Sequence, residues 1–129
     1  MAKRRKKRRY KRGIYISPIA GECRYRSGWE LEFCKYLDNN IDVLSWSYEK
    51  IMIEYISNKS TKKKRKYYPD FFVEYKNGDK YIYEIKPKRK LQNLLVAKKA
   101  EAAIIWSNHH GMTYKILSED DIRQLGIKL

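Results

Sequence analysis

Asn77-Gly78 lies between two runs rich in aromatic and β-branched residues, 67–75 and 80–86. An Asn-Gly pair in that setting is the strongest short-range hairpin signal, because both central residues of the tightest turn need positive φ. The two runs are therefore expected to be antiparallel neighbours, and that pairing decides where their polar residues go. Asp70 opens the first run, so it should lie near the Glu84–Lys86 end of the second. Glu84 and Lys86 are two apart and project from one face, while Ile85 turns to the other. Two carboxylates and an ammonium thus converge at one edge of a sheet. Polar residues that interrupt such apolar strands cost free energy unless they have a task.

The flanking sequence completes an α/β pattern. A helix is expected over 27–38, with Ser27 as N-cap and Trp29, Phe33, Tyr36 and Leu37 recurring on one face. Asn39-Asn40 ends it, and strand-like segments follow at 43–46 and 51–56. Pro87 closes the second strand of the hairpin. A long helix should then run from 91 to 110, with Gly111 as its stop. On a helical wheel Leu91, Leu95, Ala102, Ile105, Trp106 and His109 form its apolar face, with Lys98 inside. A strand at 112–117 and a short helix capped by Ser118, ending near Gly126, finish the chain. The order α, three antiparallel strands, α, β, α describes a mixed central sheet flanked by helices.

Charge supplies the next constraint. The 129 residues hold 30 Lys and Arg against 15 Asp and Glu, a net charge of +15. Such an excess points to a polyanionic partner. Nine of the basic residues fall within 1–12, including Lys3, Arg4, Arg5, Lys6, Lys7, Arg8 and Arg9. This block lacks apolar periodicity and is expected to be a disordered arm that binds phosphates; residues 13–129 form one domain. Lys62, Lys63, Lys64, Arg65 and Lys66 read as a hairpin tip able to grip a duplex backbone. No apolar run approaches the ~18 residues of a membrane span, and no secretory leader is evident. Cys23 and Cys34 are too few for a disulfide scaffold or a four-cysteine zinc site.

The chemistry that suits Asp70, Glu84 and Lys86 is phosphodiester cleavage. Negative charge surrounds the phosphorus throughout, so carboxylates need a hard divalent cation between themselves and the substrate. Mg²⁺, with Mn²⁺ as a substitute, takes one or two carboxylates plus waters and phosphate oxygens. Asp70 and Glu84 supply the carboxylates, and the Ile85 backbone carbonyl offers a further oxygen. Lys86 would orient or deprotonate the attacking water and steady the charge that builds on phosphorus.

Pro69-Asp70 with Glu84-Ile85-Lys86 resembles the signature of the PD-(D/E)xK nuclease superfamily, whose core is an α–βββ–α–β arrangement. A wider likeness takes in Gly13-Ile14-Tyr15, Tyr25-Arg26-Ser27-Gly28-Trp29-Glu30, Val43-Leu44-Ser45-Trp46-Ser47, Tyr68-Pro69-Asp70-Phe71 and Glu84-Ile85-Lys86-Pro87. Together these resemble the small head-completion nucleases of tailed phages, and also the endonuclease subunits of transposition machines. The resemblance implies a Mg²⁺-dependent DNA endonuclease that leaves 5′-phosphate and 3′-hydroxyl ends. It further implies phage capsid or portal components as partners, and action in the host cytoplasm during assembly or within the virion. It brings Glu30 to the catalytic and metal-binding group. Glu30 also fits a capping box, Ser27-x-x-Glu30, in which it would reach back to the Ser27 amide. Arg26 is a candidate for a phosphate or for Glu30, and Lys98, or Lys99 beside it, for a phosphate-binding lysine. The competing readings are a Holliday-junction resolvase or transposition-type enzyme on the same core, and a non-enzymatic DNA-binding capsid protein.

Overall fold

A computed structural model describes residues 12–129. Lys3, Arg4, Arg5, Lys6, Lys7, Arg8 and Arg9 lie outside the described residues, as does the arm reading that rests on them. The chain begins with two short strands, β1 (Tyr15–Ser17) and β2 (Gly21–Cys23), which pair antiparallel. Helix α1 (Gly28–Asn39) follows, with the Ser27 hydroxyl accepting the Glu30 N–H at 3.1 Å. The central sheet has four strands in the order β3 (Val43–Tyr48), β6 (Phe71–Tyr75), β7 (Lys80–Ile85), β8 (Thr113–Leu117). β3, β6 and β7 are antiparallel, and β8 joins β7 in parallel after a crossover through α2 (Leu94–His109). Helix α3 (Glu119–Gln124) ends the fold, its Asp121 carboxylate accepting the Ser118 N–H at 2.8 Å. This is the α–βββ–α–β core with a mixed sheet that the sequence led us to expect.

Residues 51–56 and 67–75 behave differently from that expectation. Strands β4 (Ile53–Asn58) and β5 (Lys63–Tyr67) form a separate two-stranded hairpin inserted between β3 and β6. The apparent strand at 67–75 is broken because Pro69 has no N–H to give a ladder, and pairing resumes only at Phe71. Lys62–Lys66 is not a hairpin tip. Residues 59–62 make the turn, with Lys62 in the left-handed region at φ 57°, and Lys63–Tyr67 is paired strand.

Alternation along β7 sends Tyr83 and Ile85 to one face of the sheet and Ile82 and Glu84 to the other. The first face packs on α1: the Phe33 ring stands 4.9 Å from Phe71 and 5.7 Å from Tyr83, edge to face. Phe33, Cys34, Leu37, Trp46, Val73 and Leu117 belong to the same buried cluster. Truncating a side chain such as Phe33 would cost about 3–5 kcal/mol. The second cluster, Ile53, Tyr55, Tyr67 and Ala103, joins the β4–β5 hairpin to α2. Asp38 ties the N-terminal hairpin to this frame. Its carboxylate accepts from Tyr15 (2.6 Å), Ser17 (2.7 Å) and the Trp46 indole (2.9 Å).

Helix α2 starts later than expected and buries another face. A single 3₁₀ turn, Lys88–Lys90, precedes it, and the Asn93 side chain caps it by accepting the Leu95 N–H at 2.8 Å. Ala103 and Ser107 are buried, and Ala102 and Trp106 are partly so, whereas Leu91, Leu95, Ile105 and His109 are exposed. The closely packed hairpin and β8 accept only small side chains and one tryptophan, so the bulkier aliphatic stripe turns outward.

Candidate active site

The Asn77-Gly78 turn sets a register in which Phe71 faces Tyr83, so Asp70 stands opposite Glu84 at the open end of the β6–β7 pair. There the ladder gives way to side-chain bonds. Asp70 Oδ2 accepts the Ile85 N–H at 2.8 Å, and Glu84 Oε1 accepts the Asp70 N–H at 3.3 Å. Each carboxylate is thus fixed by the other strand's backbone. In extended backbone a residue's N–H and C=O point to the same side, so the Ile85 carbonyl faces the Asp70 side as well. Lys86 Nζ lies 3.7 Å from Glu84 Oε2. On the far side of that strand the Lys86 N–H donates to the Leu117 carbonyl at 3.0 Å. The Tyr67 hydroxyl donates to Glu84 Oε1 at 2.7 Å and meets the Tyr114 hydroxyl at 2.9 Å.

Both acids are almost fully buried. Burial first, then repulsion from Glu84 and Glu30, holds the Asp70 carboxyl well above its usual range. Burial also raises Glu84, against the opposing pull of the Tyr67 hydrogen bond and the Lys86 ammonium. Glu30 is buried on α1, where its Oε1 accepts the Tyr48 hydroxyl and, at 3.1 Å, the Arg26 N–H. Ser27 does cap the helix, but Glu30 returns to the Arg26 amide rather than to that of Ser27. Arg26 thus meets Glu30 through its backbone, while its side chain goes elsewhere. Its guanidinium grips Glu49 in bidentate fashion at 2.6 and 3.1 Å. Glu49 is a left-handed residue at φ 52° whose N–H donates to the Asp70 carbonyl at 2.9 Å. Burial raises its carboxyl, and Arg26 opposes the shift.

Such a donor set has a definite preference among cations. Among the described residues no three Asp, Glu, His or Cys side chains close into a ready-made cluster. Two buried acids and a backbone carbonyl remain, all hard oxygens and too few to surround an ion. Mg²⁺ in general is held by one or two carboxylates and keeps several waters, and oxygens of this kind could hold such an ion.

Asp70, Glu84 and Lys86 are therefore together as the spacing required, with Glu30 near enough to repel Asp70. Lys98 is not with them: its ammonium is held by the Ser57 carbonyl at 2.7 Å. Its neighbour Lys99 takes the inward position, 5.4 Å over the ring of Tyr67. Lys62, Lys63, Lys64 and Arg65 stand on the inserted hairpin, exposed. Tyr48, Glu49, Tyr67 and Tyr114 escaped sequence reasoning. The tyrosines are lost among twelve of their kind, and Glu49 comes into place only through an unusual backbone turn.

Two buried acids at the open end of a hairpin, a lysine two residues beyond, and an α–βββ–α–β frame define a nuclease of the PD-(D/E)xK class. Residues 40–119 match the family model described as TnsA-like endonuclease N terminal, and the chain belongs to that family. It is also 32% identical over 126 residues to the head completion nuclease of Enterobacteria phage T4, a match covering 81% of this chain and 83% of that protein. The protein is thus a nuclease, which sets aside the reading of a non-enzymatic binding protein. The matched segment 40–119 contains Asp70, Glu84 and Lys86; Glu30 lies before it.

Proposed function

We propose that the protein is a Mg²⁺-dependent DNA endonuclease that leaves 5′-phosphate and 3′-hydroxyl ends and acts in phage head completion. The observation that carries the chemistry is the mutual fixing of Asp70 and Glu84 across the β6–β7 opening, with Lys86 beside them. Asp70, Glu84 and the Ile85 carbonyl would hold the ion, which supplies the positive charge that lets a phosphate approach two acids. Lys86 donates to the attacking water and faces the oxyanion charge as it grows. Tyr67 holds Glu84 by its hydrogen bond, and Tyr48 and the Arg26 amide hold Glu30 nearby. The head-completion role is supported by the length of the match to the phage protein. The match to the TnsA-like family keeps a transposition-type role as the second reading.

Plasmid DNA incubated with the protein and Mg²⁺ or Mn²⁺ tests the chemistry. Wild type should nick or linearise it, products should religate without end repair, and Lys86→Ala should be inactive while still retarding DNA in a gel. Normal cutting by Lys86→Ala, Asp70→Ala and Glu84→Ala alike would remove the site assignment.

A further inference from the structure

Strand β5 and the first turns of α2 enclose a groove of about 760 Å³. Lys63, Lys64, Arg65 and Lys66 line one side of it, and Leu95 and Lys99 the other, with Tyr55 between. None of these five cations forms an ion pair among the described residues. In the hairpin register Arg65 faces Tyr55 and Tyr67 faces Ile53, so these share the face turned to α2; Lys64 and Lys66 share the other with Ile56 and Glu54. The groove lies close to the acid pair: Lys99 on its wall stands over the Tyr67 ring, and the Tyr67 hydroxyl donates to Glu84. Tyr68, 46% exposed, stands between Lys66 and the break that presents Asp70.

We propose that this groove binds an unpaired nucleic-acid strand and guides it to the acid pair, so that the preferred substrate carries a single-stranded segment. The inference rests on the nuclease reading for its direction of travel, not for its affinity. Three features favour one strand over an intact duplex. The volume is that of a pocket for a small ligand, enough for a short stretch of one strand; a duplex has a major groove of about 12 Å on its own. Leu95 on the groove wall and Tyr68 beyond Lys66 are both well exposed, apolar surfaces on which unpaired bases can rest but which a paired backbone does not need. The cations are unpaired and so remain available to phosphates.

The test uses the full chain in EDTA, where binding is read without cleavage. A fluorescent oligonucleotide is offered as a single strand, as a blunt duplex, and as a duplex with a single-stranded overhang. Single strand and overhang should bind about tenfold more tightly than the blunt duplex. Lys63→Ala with Arg65→Ala, on the face turned to α2, should reduce the slope of log affinity against log salt on the single strand by about 1.4. The same change made as Lys76→Ala with Lys128→Ala, neither of which lines the groove, should leave that slope alone. Equal or tighter binding of the blunt duplex, or equal losses in both double variants, overturns the groove. Cleavage of the same substrates with Mg²⁺ separates the two ideas. A wild type that cuts none of them defeats the nuclease chemistry while the binding result stands. Cleavage of the overhang substrate by the groove variant with unchanged KM defeats the groove while the chemistry stands.

Discussion

Asp70 is held at a cost. An acid bound more tightly to its proton in the folded than in the unfolded chain lends stability that is complete below the ordinary carboxylate range, and that stability is lost as pH rises through the elevated folded value. Asp70 and Glu84 are both raised, so without a cation the site should weaken the fold towards alkaline pH. Mg²⁺ should consequently raise the melting temperature more at about pH 8 than at about pH 5; an equal gain at both would count against cation binding by these acids. Asp70→Asn keeps an oxygen for the Ile85 N–H and removes the buried charge. It should abolish cleavage yet stabilise the metal-free protein by about 1–3 kcal/mol, measured by thermal melting near neutral pH. Tyr67→Phe deletes one hydroxyl that serves both Glu84 and Tyr114. We expect it to lower kcat about tenfold with little change in KM and to cost about 1–2 kcal/mol of stability, with Tyr67→Ala worse on both counts.

Among the elements, the N-terminal hairpin depends on a single acceptor. Asp38→Ala would leave Tyr15, Ser17 and the Trp46 indole without their shared partner. A loss of about 2–4 kcal/mol is expected, and amide exchange should quicken in β1 and β2 before it does in β6 and β7. Uniform acceleration across the chain would show that the hairpin is no separate unit. The same elements mark what could be read from the residues beforehand. Asn77-Gly78 and the alternation of 80–86 placed Asp70 against Glu84 correctly, because turn chemistry and pleat are local rules. Strands β1 and β2, at three residues each, are too short to carry a period and exist through Asp38, a contact across some twenty residues. The β4–β5 pair was misjudged for the opposite reason: its residues have strand character, but nothing local says that they leave the main sheet. On α2 the aliphatic stripe outweighed the small residues Ala103 and Ser107, whose burial follows from the closeness of the hairpin. Glu49 reaches the site by a backbone turn that shows as no motif, whereas Lys99, the alternative to Lys98 in the sequence, is brought inward by helix phase.

At the scale of the whole molecule, the proposed function separates holding from cutting. Removing residues 1–12 takes away nine positive charges and none of the groups around Asp70. That truncation should weaken DNA binding and flatten its salt dependence while kcat on saturating substrate is retained; a fall in kcat with binding intact would place the arm in the chemistry instead. The hydrogen bond from Lys86 to Leu117 has a further bearing on how the lysine keeps its place. The strand that bears Glu84 gains its second neighbour only when β8 is laid against it. The hairpin alone therefore lacks the contact that seats Lys86. Loosening β8 should slacken the lysine before it unpairs Asp70 from Glu84.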